Sequence, residues 1–466
     1  MSVLLHESDE PLTERRQLVE YFTKAAKPKA EWLVGCEHEK FPYRLSTLKP
    51  VSYEEPNGLR DFLTAMKDFG WAPTMEGSHI IGLTRGQTAI SFEPGGQVEL
   101  AGAPLTTLHE TSAEIDQHLS EVNEIGQAMD IGFLGIGFHP TATREDISWV
   151  PKARYAIMRE YMKKRGKLGH DMMLRTSTVQ VNLDFSDEAD MIKKYRVSLA
   201  LQPIATALFA SSPFTEGKVN GFKSYRMHIW TDVDPDRSGP IPFVFDADFG
   251  FERYVDYALN VPMYFVWRDN KYIDCAGQSF NDFLAGKLSP LPGQLPTMND
   301  WANHLTTLFP DVRLKKVLEM RGADAGSAEM LLALPSFWTG LLYDGGALND
   351  AWDLVKGWSA EDRAKLYRDA PKLGFDAEIK GQKVSAIAQA AIKIAQIGLR
   401  RRAHRLHGGA DETRYLDILF NFTESHQSRA DQLLMQHEHF KGFGMKDVFD
   451  SCRLMPPPIL KSEESL

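Results

Sequence analysis

Polar and apolar residues along this chain alternate in two rhythms, and the two divide it into helices and strands. Between residues 11 and 26, Leu12, Leu18, Tyr21 and Phe22 recur near helical spacing after an acidic start that suits a helix amino end, so this segment is predicted as a helix. The same spacing predicts helices around 57–69, at 107–130, at 150–165 and at 187–211. In the second of these, Leu108, Ile115, Leu119, Val122 and Ile125 form an apolar stripe. Alternation with a period of two predicts a strand at 177–185 (STVQVNLDF), and β-like runs occupy 31–41, 79–84, 88–93, 97–101 and 314–321. A Gly-, Pro- and Asp-rich stretch at 213–248 reads as long loops, and from 346 onward the pattern is nearly all helical, ending in a PPP tail after residue 455.

Strands and helices are interspersed irregularly, with no βα period and no internal repeat. This predicts an α+β fold with a mainly antiparallel sheet. No linker marks an independent module, so residues 1–466 read as one catalytic domain, with about 346–445 a mostly helical portion of it and 446–466 a tail.

Composition narrows the function. With 43% hydrophobic and 25% charged residues the chain is an ordinary soluble globular protein, and no apolar run reaches membrane-spanning length. Its 53 Lys and Arg against 63 Asp and Glu leave a formal charge of −10, without the basic stripe that a nucleic-acid partner requires. Cys36, Cys275 and Cys452 are far apart and lack CxxC spacing, so neither a disulfide framework nor a zinc site is indicated. The amino terminus has acidic residues where a signal peptide is basic and then apolar, and a reducing cytoplasm is the expected location.

Candidate chemistry lies on the strands. Side chains two apart on a strand share a face, which pairs Glu37 with Glu39, Gln97 with Glu99 and Glu319 with Arg321, and aligns Thr178, Gln180, Asn182 and Asp184. Half-exposed antiparallel strands also turn polar residues to solvent. Here, however, the acidic pairs sit among Trp32, Val34, Phe41 and other apolar residues, which points to a cleft lined by carboxylates and amides. Such oxygen donors suit Mg²⁺, which can neutralise a nucleotide triphosphate without a Lys-rich loop. No GxxxxGK[ST], no GxGxxG opening a helix and no GxSxG occurs, and the glycine-rich run GFLGIGF (132–138) suits a strand better than a phosphate cradle. Arg154, Arg226 and Arg321 lie in aromatic-rich or strand contexts fit for carboxylate or phosphate recognition, and Arg400–Arg402 reads as a solvated helical face.

The segments GCEHEKF, FEPGGQVELAGAPL, DMMLRTSTVQVNLDF, LALQPIATALFASSPF, SYRMHIWTDVDPDRSG, VPMYFVWR and LEMRGADAG closely resemble glutamate-cysteine ligases of the plant and proteobacterial type, over about residues 11–435. The resemblance implies a glutamine-synthetase-like sheet forming an active-site funnel, with Mg²⁺ as cofactor and ATP as co-substrate. It implies Glu37, Glu39, Glu93, Glu99, Gln180 and Glu319 as the metal set, Arg321 as the catalytic cation at the transferring phosphoryl group, and Arg226 at the α-carboxylate of glutamate. Arg154, Trp230 and Tyr264 would shape the pocket for glutamate and cysteine. The implied partners are L-glutamate, L-cysteine and ATP, with no nucleic acid or membrane, in a monomer or weak homodimer. A ligase of the same fold with another amine acceptor, or a non-catalytic metal- or nucleotide-binding relative, are the competing readings. Ser112 and Ser177 stand where plant members have Cys, so thiol–disulfide regulation is not carried over. Cys36 is expected on the strand face opposite Glu37, packed in the core.

Overall fold

In a computed structural model, residues 7–455 are described apart from His407 and Lys441. The framework is a nine-stranded sheet made of β1 (Val34–Arg44), β2 (Ala72–Glu76), β3 (His79–Arg85), β4 (Thr88–Phe92), β5 (Val98–Ala101), β6 (Ile131–Leu134), β7 (Thr178–Leu183), β8 (Val312–Leu314) and β9 (Leu318–Asp324). Their order is β8-β9-β7-β1-β5-β4-β3-β2, with β6 paired to the second half of β1, and every pairing is antiparallel. The α+β expectation holds.

The central strand β1 is buried over nearly its whole length, and alternation sorts its side chains. Cys36 turns to the helical side, where its Sγ lies 3.8 Å from the carbonyl oxygen of Leu331. Glu37 and Glu39 turn the other way. The helices are α1 (Arg15–Thr23), α2 (Leu59–Met66), α3 (Leu108–Ala128), α4 (Ala153–Met162), α5 (Gly169–Arg175), α6 (Glu188–Leu208) and α7 (Tyr225–Trp230), followed by a run of further helices that includes Ala328–Leu342 and Val384–Arg402. Helix α3 opens on a capping box formed by Thr107 and Glu110. From Val197 onward α6 is buried on every side, as is Ala328–Leu342 from Met330 onward; these two back the sheet and form the centre of the core.

Several expectations are corrected. The 213–248 stretch is not all loop, because α7 and short strands lie within it. Segment 314–321 is not one strand but the end of β8, the turn at Lys315–Val317 and the first half of β9. Arg402 is not solvated: it forms an ion pair at 2.8 Å with the fully buried Glu412. The described part of the expected tail is the helix Met445–Cys452 followed by a segment bonded to β6, with the Leu454 amide donating to the Phe133 carbonyl at 2.8 Å. The PPP segment lies outside the described residues.

Helices Ala328–Leu342 and Val384–Arg402 cross at two glycines. A Cβ on Gly398 would lie 1.9 Å from the carbonyl oxygen of Gly340. Forcing such a crossing apart costs about 1–3 kcal/mol, which outweighs the ~1 kcal/mol that Ala gains over Gly in helix propensity. Gly398→Ala is therefore expected to lower the urea midpoint of unfolding; an unchanged or higher midpoint would contradict this account of the crossing.

Candidate active site

The sheet register assembles the polar face strand by strand. Glu39 stands opposite Glu99 across β1 and β5, Glu37 opposite Gln180 across β1 and β7, and Glu319 opposite Asn182 across β9 and β7. Between Met320 and Ala323 the β9–β7 ladder shifts by a bulge, which frees Arg321 to aim at Gln180. The Arg321 Nη1 donates to Gln180 Oε1 and to Glu319 Oε2, both at 2.7 Å.

Two cavities open on this face. The first, about 80 Å³, is lined by Glu39, Glu93, Glu99, Gln180, Arg154, Arg226, Trp230 and Arg321 among others. The second, about 310 Å³, is lined by Glu37, Asn182, Lys27, Lys315 and Lys316 together with apolar Leu33, Ala89, Ala101 and Val317. Because β1 supplies Glu39 to the first and Glu37 to the second, and β7 supplies Gln180 and Asn182 in the same way, the cavities are neighbouring halves of one trough.

Carboxylates crowd the first half. Burial, and then the charges of Glu93 and Glu99, hold the Glu39 carboxyl well above the usual range. Burial likewise pushes Glu99 up to about 7, with Glu93 and Glu37 adding to it. Glu93 is held in the β4–β5 turn, where its amide donates to the Gln97 carbonyl at 2.9 Å. Gln97 anchors that turn in its own right: its Nε2 donates to the carbonyls of Met173 and Thr176 and its Oε1 accepts from the Gly95 amide.

Facing these acids are buried donors with no protein partner: Nε and Nη1 of Arg154, Nε and Nη1 of Arg226, and Nε1 of Trp230. Arg226 and Trp230 are one helical turn apart on α7, and the Arg226 guanidinium lies over the Trp230 ring. A buried donor left unpaired costs about 1–3 kcal/mol. Five such atoms in one cavity describe a site built for a ligand that brings its own acceptors.

The structure does not gather all the sequence candidates at one point. Glu37 belongs to the second half, where its Oε1 accepts from Asn182 Nδ2 at 2.7 Å. Glu319 lines neither cavity; Arg313, Lys315 and Arg321 surround its carboxylate at 2.7 Å. Burial would raise Glu319, but these three cations outweigh it and hold it well below the usual range. Tyr264 lies behind the cavity wall, against Arg237 and Met162. Sequence reasoning missed Arg313 and Lys152. Arg313 lines the first cavity but precedes the segment read as a strand, and Lys152, which donates to the Phe92 carbonyl at 2.7 Å, sits in a stretch whose helical pattern masks its burial. Among the described residues no three His, Cys, Asp or Glu side chains stand close enough to hold a metal ion alone.

Residues 33–448 match the profile of glutamate-cysteine ligase family 2 (GCS2). The chain belongs to that family. It is 52% identical over 442 residues to the chloroplastic glutamate–cysteine ligase of Nicotiana tabacum, covering 95% of this chain and 83% of the relative. It is 55% identical over 397 residues to the chloroplastic glutamate–cysteine ligase B of Oryza sativa subsp. japonica, covering 85% and 79%. Among solved structures it resembles a glutamate–cysteine ligase from Francisella tularensis in complex with AMP, with a TM-score of 0.54, 13% identity, and 90% of this chain and 87% of the other covered; this likeness concerns the fold. The expected cytoplasmic location is corrected by the family relatives, which are chloroplastic enzymes.

The buried acids give a pH signature. Glu99 titrates near 7 when folded against an ordinary 4.5, so between these values the folded chain holds a proton that the unfolded chain has lost. Its contribution to stability therefore weakens as pH rises through this window. Glu99→Gln, which mimics the protonated acid, is expected in the presence of chelator to melt above the parent at pH 8, with the gap closing towards pH 5.5. A gap independent of pH would contradict the raised Glu99.

Proposed function

We propose that this chain joins the γ-carboxylate of glutamate to the amine of L-cysteine at the expense of ATP, forming γ-glutamylcysteine, the first step of glutathione synthesis. Family membership supports the reaction class. The observation that carries the substrate reading is the set of unpaired donors on Arg154, Arg226 and Trp230 facing Glu39, Glu93 and Glu99 in one cavity. An amino acid with two carboxylates and one ammonium group satisfies both sides of such a site, with Arg226 on the α-carboxylate. The wall of Pro94, Tyr155, Met158, Met172 and Met173 is apolar and rich in sulfur, and suits the thiol-bearing side chain of the second amino acid.

In this reading ATP enters the second half of the trough. Its apolar residues suit a purine, and Lys27, Lys315 and Lys316 suit phosphate oxygens. The two substrates then meet at the border between Glu37 and Glu39, beside Arg321. An acid set with too few ligands to cage an ion matches Mg²⁺, which takes one or two carboxylates and completes its shell with water and substrate phosphate. Glu39 and Glu99, which stand opposite each other, would hold it on the glutamate side with Glu93 beside them, and Glu37 would serve on the nucleotide side, with Gln180 and Glu319 lying between the two. Bound there, the ion would neutralise phosphate charge.

The protein's own part follows from charge and position. The γ-carboxylate oxygen attacks the terminal phosphorus of ATP, ADP leaves, and an acyl phosphate forms. Arg321, anchored to Glu319 and Gln180, presents its guanidinium where negative charge gathers on the transferring phosphoryl group. The neutral amine of cysteine then attacks the acyl carbon, phosphate leaves and the amide bond is complete.

ADP release measured with glutamate and a panel of amines tests the reading. Release is expected to require glutamate and to rise most with L-cysteine; release indifferent to cysteine, or highest with another amine, would reject it. Glu39→Gln is expected to lower turnover by about 100-fold or more through lost electrostatic stabilisation, with the circular dichroism spectrum unchanged.

A further inference from the structure

The acid at the far end of β9, Asp324, touches neither cavity and is buried at 1% exposure. Its Oδ2 accepts from the Ser211 amide at 3.0 Å and the Ser212 hydroxyl at 2.6 Å, and its Oδ1 accepts from the Ser224 hydroxyl at 2.7 Å. Each of the two hydroxyls has one proton, and both protons go to Asp324. Their lone pairs are thereby turned outward, and both meet the start of α7: Ser212 Oγ accepts from the Arg226 amide and Ser224 Oγ from the Met227 amide, each at 3.2 Å. Ser224 is the amino-terminal cap of α7.

The glycine-rich run at 132–138 also acquires a purpose. A Cβ on Gly137 would lie 2.3 Å from Asp324 Cγ, and the Gly137 amide donates to the Ser211 hydroxyl at 2.9 Å. The run therefore makes room for this carboxylate. Arg226 is linked to the same strand a second time, since its Nη2 donates to the Arg321 carbonyl at 3.0 Å.

We infer that Asp324 is a positioning residue for the amino-acid substrate: through the hydroxyls of Ser212 and Ser224 it fixes the first turn of α7, and with it the aim of Arg226 and Trp230 into the first cavity. A six-residue helix has too few internal hydrogen bonds to hold its own orientation, so its first turn must be set by what caps it. One strand thus governs both substrates, with Arg321 facing the phosphoryl group directly and Asp324 acting on glutamate through two serines. Of the charges around Arg226, whose guanidinium burial pulls below its ordinary value, Asp324 opposes that fall most strongly.

The inference rests on assigning Arg226 to glutamate, and steady-state kinetics on three variants of the full chain separate the two claims. Asp324→Asn keeps the shape and removes one acceptor. It is expected to raise KM for glutamate about tenfold, as loss of a hydrogen bond to a charged group does, with KM for ATP within about twofold. Ser224→Ala, which leaves the buried charge in place, is expected to raise it about fivefold, the usual effect of a lost cap, and it serves as the test if Asp324→Asn does not fold. Arg226→Lys is the control for the premise. If Arg226→Lys leaves KM for glutamate unchanged, the assignment of Arg226 falls and the inference with it. If Arg226→Lys raises it while the folded Asp324 and Ser224 variants do not, or if those variants raise the KM values for glutamate and ATP alike, the inference alone is overturned.

Discussion

A slip of one residue in the register of β1 would carry Cys36, His38 and Lys40 into the trough and bury Glu37 and Glu39 against the helices behind it. The fold leaves no room for that slip. Strands β5 and β7 pair with the first half of β1 and β6 with the second, so each residue from Val34 to Arg44 is committed to neighbours on a defined side. Behind the sheet, Lys40 is fully buried, and its Nζ reaches the Val98 carbonyl at 3.2 Å and His118 Nε2 of α3 at 2.8 Å. Burial brings this ammonium group down to about 7, with Glu99 and Glu39 opposing that fall. The acids of the trough and the base behind it are thus registered by the same strand.

Charge is distributed unevenly along the trough. At one end, Glu39, Glu93 and Glu99 share a cavity with Arg154 and Arg226, and at the border Glu319 is surrounded by Arg313, Lys315 and Arg321. Buried ion pairs of this kind contribute little net stability, because desolvation offsets most of the attraction. Their effect here is on direction: Arg321 is held at the cavity wall by Glu319 and Gln180, which leaves the donors of Arg154 and Arg226 for a ligand.

Much of this was legible in the sequence, for reasons that also explain what was not. Alternation announced β7, whose one face carries Thr178, Gln180 and Asn182, and the Gly and Pro between the short runs at 79–101 marked those strands off. Strand β2 went unread, since Ala72–Glu76 is an edge strand with largely exposed residues and no apolar face. The β8–β9 hairpin was read as one strand because its turn, Lys315–Val317, lacks the Gly, Asn or Pro that marks most turns. Helix α7 spans only six residues, fewer than two turns, too short for a helical period to emerge from a Gly- and Pro-rich stretch. The trough residues were named largely through resemblance to the ligase family. Asp324 was not, because a carboxylate that acts through serines 100 and 112 residues away in sequence leaves no local pattern.

The segment after Cys452 bears on how the chain comes into being. Strand β6 lies off the main path of the sheet and is met on its free side by Arg453 and Leu454, almost the last described residues. A nascent chain emerging amino terminus first can form most of the sheet while still attached to the ribosome, but it cannot cover this edge. Until residues 453 and 454 have docked, β6 keeps open backbone groups of the sort that recruit stray strands. Shelter for this edge during the synthesis of the more than 300 residues that separate β6 from Arg453 is therefore a demand written into the topology itself.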